Sequence, residues 1–190
     1  MNTNRWRTVD IVVAAVIAVA FGVVFFAWTR VWEATTVFNG YPPLRALLNG
    51  VWLVPAVLGP LVIRKPGAGV FTETIAALIA LIGSPWGLTT LVYGLFQGVA
   101  GEAPFAATGY RSSKLPVPLT GGLLAGAAAG LLDLTIYYPD YSAGYQIAQI
   151  GLSALSGLIV AGAGGWALTQ ALARTGVLDR FPSGRERVAV

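Results

Sequence analysis

The 190-residue chain contains no cysteine and no histidine. It therefore has no disulfide, no thiolate or imidazole metal ligand, no Ser-His or Cys-His nucleophile pair and no histidine pH switch. Charge is nearly as scarce: Lys, Arg, Asp and Glu make up 11% of the residues, against about 25% in a soluble domain. A Walker A loop is also missing, because that motif needs Gly-Lys followed by Ser or Thr. Lys65 precedes Pro66 and Lys114 precedes Leu115, so the chain is not its own ATPase. What remains is apolar: hydrophobic residues make up 56% of the sequence. A water-soluble fold of this size cannot hide that much apolar surface, and the excess faces lipid.

The apolar residues come in runs. A transmembrane helix needs about 20 of them, and six runs qualify, over 9–32, 44–63, 67–82, 88–109, 117–138 and 145–174. The first is too long for a signal-peptide core and no polar gap with a cleavage site follows it, so it reads as a retained span. Breakers separate the runs: Asn39-Gly40-Tyr41-Pro42-Pro43, Arg64-Lys65-Pro66, Ser84-Pro85, Arg111-Ser112-Ser113-Lys114 and Pro139-Asp140. Ten of the 12 basic residues lie at the termini and in the second and fourth loops: Arg5, Arg7, Arg64, Lys65, Arg111, Lys114, Arg174, Arg180, Arg185 and Arg187. Only Arg30 and Arg45 fall on the other side, which puts both termini in the cytoplasm. The expected fold is an all-α integral membrane bundle of six transmembrane helices, a single domain over 1–190. A short charged tail over 175–190 is expected to fray.

Lipid gives no hydrophobic drive between helices, so small residues at four-residue spacing mark close contacts. Gly122, Gly126 and Gly130 on the fifth run and Gly157, Ala161 and Gly165 on the sixth fit internal packing. The first run carries a similar ridge, Ala14, Ala18 and Gly22. Pro55, Pro60 and Pro104 sit inside runs and should kink them.

Three acids, Glu73, Glu102 and Asp133, interrupt apolar runs that contain no basic partner. Each costs ~2.5–3.5 kcal/mol at a bilayer centre unless it finds a partner, a proton or water. With a rise of ~1.5 Å per residue, Asp133 falls in the outer third. Glu73 and Glu102 fall nearer the cytoplasm, away from an outer ligand. The outer half also collects Trp32, Trp52 and Trp86, a Thr89-Tyr93-Gln97 ridge, Asp133 with Tyr137, and a stripe of Gln146, Gln149, Ser153 and Ser156. An interfacial aromatic belt with interhelical hydrogen bonds explains the residues at span ends. The deeper Tyr93, Gln97, Asp133 and Gln149 fit better with a pocket for a flat, polar or cationic small molecule. The loop over 34–43, with Phe38, Asn39, Gly40 and Tyr41, is either a connector or a lid over such a pocket. Two other classes stay open: a proton-coupled carrier with Glu73 and Glu102 as relay, or an intramembrane enzyme using the three acids.

Several short pieces, in order, carry a family likeness. They are the opening Trp6-Arg7-Thr8-Val9-Asp10-Ile11-Val12-Val13-Ala14-Ala15, then Leu53-Val54-Pro55-Ala56-Val57-Leu58-Gly59 and Ile63-Arg64-Lys65-Pro66-Gly67-Ala68. Phe71-Thr72-Glu73, Trp86-Gly87-Leu88 and Gln97-Gly98 complete the set. From Arg7 to Arg174 the chain resembles the YkoE-type substrate-binding (S) component of energy-coupling-factor (ECF) transporters. Where the family pattern has a second acid in the third span and Asn-Gln before Trp-Gly, this chain has Ala80 and Ser84-Pro85. The resemblance implies a non-catalytic subunit in the membrane of a prokaryote that captures thiamine or its hydroxymethylpyrimidine precursor from outside. It further implies a membrane coupling (T) subunit and two cytoplasmic ATPases as partners, and no cofactor. By the family's pattern Ala14, Ala18 and Gly22 would face outward and dock the coupling subunit. An S component for another water-soluble vitamin is the nearest alternative.

Overall fold

Along the first run the residues sort by face. Asp10, Ala14, Ala18, Gly22, Phe25 and Thr29 are buried at three- and four-residue spacing, while Ile11, Val12, Val16, Val19 and Val23 are exposed. This run is helix α1, Thr8–Ala34, in the computed structural model, which describes residues 5–35 and 40–185. After it, Pro42–Leu53 winds as a 3-10 helix and passes into α2, Val54–Ile63. Next come α3, Ala68–Ala80, with a 3-10 turn to Gly83, and α4, Thr89–Ala107. Helix α5 is Pro116–Ile136. The final rod is α6, Ala143–Ser156, a π-helical stretch Gly157–Gly164 and α7, Gly165–Arg174. A short α8, Pro182–Arg185, follows.

The helical rods therefore lie where the apolar runs predict them. Among the described residues four are long and apolar enough to cross a membrane: Thr8–Ala34, Pro42–Ile63, Pro116–Ile136 and Ala143–Arg174. The apolar helix Ala68–Gly83 is shorter. Helix α2 is the axle of the bundle, with every residue buried and with α3, α4, α5 and α7 packed around it.

Glycine sets the closest approaches. A Cβ at Gly130 would stand 2.8 Å from the Ile150 Cα, and one at Gly126 would collide with the Ser153 backbone, so α5 and α6 touch main chain to main chain. The small-residue ridge of α1 is buried where α1 packs on α3, and this overturns the docking expectation. Ala14 and Ala18 are 0% exposed, and a Cβ on Gly22 would lie 2.7 Å from the Ile79 side chain. Ala14, Ala18 and Gly22 therefore belong to the interior, and the exposed surface of α1 is its valine face. The tail also departs from expectation. Leu178 and Phe181 are buried in the main core cluster instead of fraying, while residues 186–190 of that tail lie outside the described residues.

One end of the bundle is tied by charge. The Asp10 carboxylate accepts the Arg7 amide (2.7 Å), the Arg7 guanidinium (2.8 Å) and the Lys65 ammonium (2.5 Å). Trp6 donates to the Pro66 carbonyl. Glu102 lies at this end and explains its own burial. It accepts the amides of Gly67, Gly69 and Val70 at the start of α3, and the Tyr110 hydroxyl. A carboxylate on helix N-terminal amides needs no basic partner.

Candidate functional site

The other half of the bundle encloses a cavity. Its floor is built from three helical rods that meet at Asp133 on α5. The Asp133 carboxylate accepts the Tyr93 hydroxyl of α4 at 2.6 Å, the Gln149 amide of α6 at 2.7 Å and the Asn49 amide of the 3-10 segment at 3.1 Å. Asn49 also donates to Ser153 at 3.0 Å. The 3-10 segment is pinned to α6 by Ser156, whose hydroxyl donates to the Leu47 carbonyl (2.6 Å) and accepts the Gly50 amide (3.0 Å). Such side-chain bonds let irregular backbone sit inside a membrane bundle.

Aromatic rings form the walls. Trp86 stands edge-to-face with both Trp32 (5.1 Å between centroids) and Trp52 (5.7 Å). Tyr137 contacts Tyr93 at 6.2 Å and shares a 2.5 Å hydrogen bond with Thr89. A chain of tyrosines leads away from it: Tyr138 stacks on Tyr141 at 4.7 Å, and Tyr141 and Tyr41 each meet Tyr145 edge-on. Burial pushes the Tyr141 phenol up from its usual value, so it stays neutral at physiological pH. The space between these walls, solvent at its open mouth included, is about 860 Å³.

Two acceptors in this lining have no hydrogen-bond partner among the described residues: Glu73 Oε1 and Gln149 Oε1. Glu73 is fully buried, and its other oxygen takes the Ala56 amide at 2.9 Å where the 3-10 segment turns into α2. A buried acceptor left open costs about 1–3 kcal/mol unless something donates to it. Both side chains belong to the cavity lining.

The structure brings Trp32, Trp52, Trp86, Tyr93, Gln97, Asp133, Tyr137 and Gln149 together around the one cavity. It leaves Gln146 out: that side chain is exposed near the start of α6 and donates to the Tyr141 carbonyl. It also moves Glu73 in, since α3 carries this acid to the cavity wall rather than toward the charged end. Sequence reading missed Asn49 and Arg45 as lining residues. A lone amide inside the apolar stretch 46–63 was the available signal for Asn49. Of the expected lid, Pro42 lines the cavity, while Phe38 and Asn39 lie outside the described residues.

Comparison with known proteins agrees with this architecture. A family model described as the permease component of an ABC-type cobalt transport system matches residues 9–128. The protein YkoE of Bacillus subtilis (strain 168), named as an HMP/thiamine permease, is 35% identical over 185 residues, 96% of this chain and 92% of that protein. A crystal structure of an S component of an ECF transporter superposes with a TM-score of 0.90 at 33% identity, covering 97% of this chain and 94% of the other. The chain belongs to the S-component family of ECF transporters and is a membrane transport subunit, not a catalyst.

Proposed function

We propose that this subunit captures thiamine or its hydroxymethylpyrimidine precursor at the extracellular side of a prokaryotic cytoplasmic membrane. It then works with a coupling membrane subunit and two cytoplasmic ATPases. In this reading the six helical rods all span, with the charged Arg7–Asp10–Lys65 end in the cytoplasm and the Asp133 cavity facing out. The bias of Lys and Arg toward that end supports the orientation.

The observation that carries the ligand class is the combination of open acceptors and aromatic walls. An aminopyrimidine offers N–H donors, which Glu73 Oε1 and Gln149 Oε1 lack. A thiazolium is a flat cation, which the Asp133 carboxylate and the Trp32, Trp52 and Trp86 rings would hold. The name of the Bacillus relative points the same way. The family model's description names cobalt, but a chain without His or Cys has none of the imidazole or thiolate donors that favour such an ion.

Tryptophan quenching tests the reading directly, because three of the six tryptophans line the cavity. Purified protein titrated with thiamine, hydroxymethylpyrimidine, riboflavin and biotin should respond saturably to the first two at sub-micromolar to micromolar concentrations. A saturable response to riboflavin or biotin alone would reassign the cargo.

A further inference from the structure

Helices α1 and α3 start level and end apart. Lys65 reaches Asp10 and Trp6 donates to the Pro66 carbonyl, so both helices leave the charged end of the bundle together. Further along, Gly22 lies against Ile79, and a Cβ on Gly83 would collide with the Phe26 ring. Helix α3 with its 3-10 turn therefore stops beside Phe26, about two helical turns before α1 ends at Ala34. Thirteen α-helical and three 3-10 residues reach about 25 Å, short of the ~30 Å hydrocarbon layer. With the charged end among headgroups, the turn that follows Gly83 stands at or below the far edge of the hydrocarbon.

That turn, residues 82–88, is dressed for such a place. Outward it presents Ile82, 91% exposed and the most exposed large apolar side chain among the described residues, and Leu88, 74% exposed. Its polar groups pair within the protein. The Trp86 amide donates to Ser84 Oγ (3.2 Å), the Trp86 carbonyl accepts the Thr89 hydroxyl (2.7 Å), and the Ser84 and Thr90 hydroxyls share a bond (2.6 Å). The Gly83 carbonyl, at the end of the helix, accepts the Arg30 guanidinium at 3.1 Å. Arg30 itself lies over the Phe26 ring and pairs with Glu33, one turn nearer the end of α1, which is how a cation snorkels at a membrane edge. A turn in water can leave such groups to solvent, whereas one among acyl chains must satisfy them internally.

We propose that residues 82–88 are a lipid-contact surface: acyl chains of the outer leaflet pack on Ile82 and Leu88, on the outer side of the turn that carries the Trp86 wall of the cavity. The inference rests on the proposed orientation, with the cavity facing out, and goes beyond it by naming what holds this wall. On its inner side the turn meets Trp32 and Trp52 through Trp86, and Tyr137 through Thr89. Lipid on one side and cargo on the other therefore act on one short, internally bonded unit, and cargo affinity depends on bilayer thickness.

The chain has no cysteine, so single-cysteine variants of the full chain carry one nitroxide label each. The positions are Ile82→Cys and Leu88→Cys, with Val16→Cys on the 61% exposed face of α1 and Ser142→Cys in the exposed α5–α6 turn as references. In dioleoylphosphatidylcholine vesicles, each label's access to oxygen, which partitions into lipid, is compared with its access to a water-soluble nickel chelate. The oxygen-to-nickel ratio at positions 82 and 88 should shift from the Ser142 value to the Val16 value. Ratios equal to that at Ser142 place the turn in water and overturn the proposal. Low access to both reagents means that protein, such as a second copy of the chain, covers the turn, and overturns it as well. Thiamine titration by tryptophan quenching reads the wall. Affinity should differ about threefold or more between dimyristoleoyl- and dierucoylphosphatidylcholine, and Ile82→Ser/Leu88→Ser should flatten that difference while Val16→Ser keeps it. A melting temperature near wild type shows that the double variant is folded; if it does not fold, the labels and the wild-type thickness series decide. Equal affinity in the two lipids, or a difference that survives the double variant, overturns the hold of lipid on the wall. Wild-type protein that binds no thiamine in any lipid removes the proposed function, and the labels still decide the contact surface.

Discussion

Asp133→Asn is the cleanest perturbation of the cavity floor, because the surrounding hydrogen bonds can survive it. Oδ2 now accepts from Asn49 and Gln149, while Oδ1 accepts the Tyr93 hydroxyl. In the variant the amide oxygen can keep the two amide donors. Its nitrogen then faces Tyr93, whose hydroxyl can turn and accept. Shape and connectivity are kept and only the charge is lost. A hydrogen bond to a charged group contributes about 1.5–3 kcal/mol, and a neutral one about 0.5–1.5. Thiamine, a cation, should therefore bind roughly ten- to a hundredfold more weakly to the variant. Neutral hydroxymethylpyrimidine loses only the difference between the two kinds of bond, about 1 kcal/mol or roughly fivefold. Calorimetric titration of both ligands on both proteins, with thermal melts to show that the fold is intact, reads this directly. Equal losses for the two ligands, or none for either, would refute the assignment of Asp133 as the cation-holding group.

The two glutamates should separate. Glu73→Gln replaces an open acceptor with a donor and should weaken hydroxymethylpyrimidine about tenfold or more with little change in melting temperature; unchanged affinity would exclude Glu73 from the site. Glu102→Gln can keep its oxygen on the Gly69 and Val70 amides and let the Tyr110 hydroxyl turn and accept, but it leaves the Gly67 amide without an acceptor, so the melting temperature should fall while the folded protein binds normally. Ala18→Trp should abolish folding because the site is 0% exposed, whereas Val16→Trp, on a face 61% exposed, should fold and bind as wild type; a folded Ala18→Trp protein would contradict the packing of α1 on α3. Hydrogen exchange of the segment 34–43 should slow on adding thiamine, since Arg45 bonds the Thr35 carbonyl and Pro42 lines the cavity; equal rates would argue against closure.

How much of this was legible beforehand follows from what lipid does to a sequence. Helical rods were readable because apolar length and Gly, Pro and charged breakers survive in any environment. Face was not. In a soluble helix polarity separates outside from inside, but in a bilayer both sides of α1 are apolar. The ridge Ala14, Ala18 and Gly22 was visible, yet only the fold shows that Ile79 fills the space beside it. The 3-10 winding of Pro42–Leu53 was hidden for the same reason, because apolar composition does not distinguish it from an α-helix. With it was hidden the turn of Asn49 toward Asp133, 84 residues away.

The acids show where sequence reading stops and structure begins to separate roles. On composition alone Glu73, Glu102 and Asp133 are three equivalent liabilities in apolar runs. Their partners make them different. Glu102 spends both oxygens on the start of α3 and on Tyr110, which leaves nothing for a ligand. Glu73, in the cavity lining, uses one oxygen to hold the start of α2 and has no partner for the other among the described residues. Asp133 is fixed by three neutral donors and no cation, so its charge is oriented but not neutralised. A bundle stabilised only by packing would gain nothing from an uncompensated carboxylate at that depth. On the proposed function, a donor-bearing cation entering the cavity would offset that cost, and such a dependence on cargo suits a capture subunit.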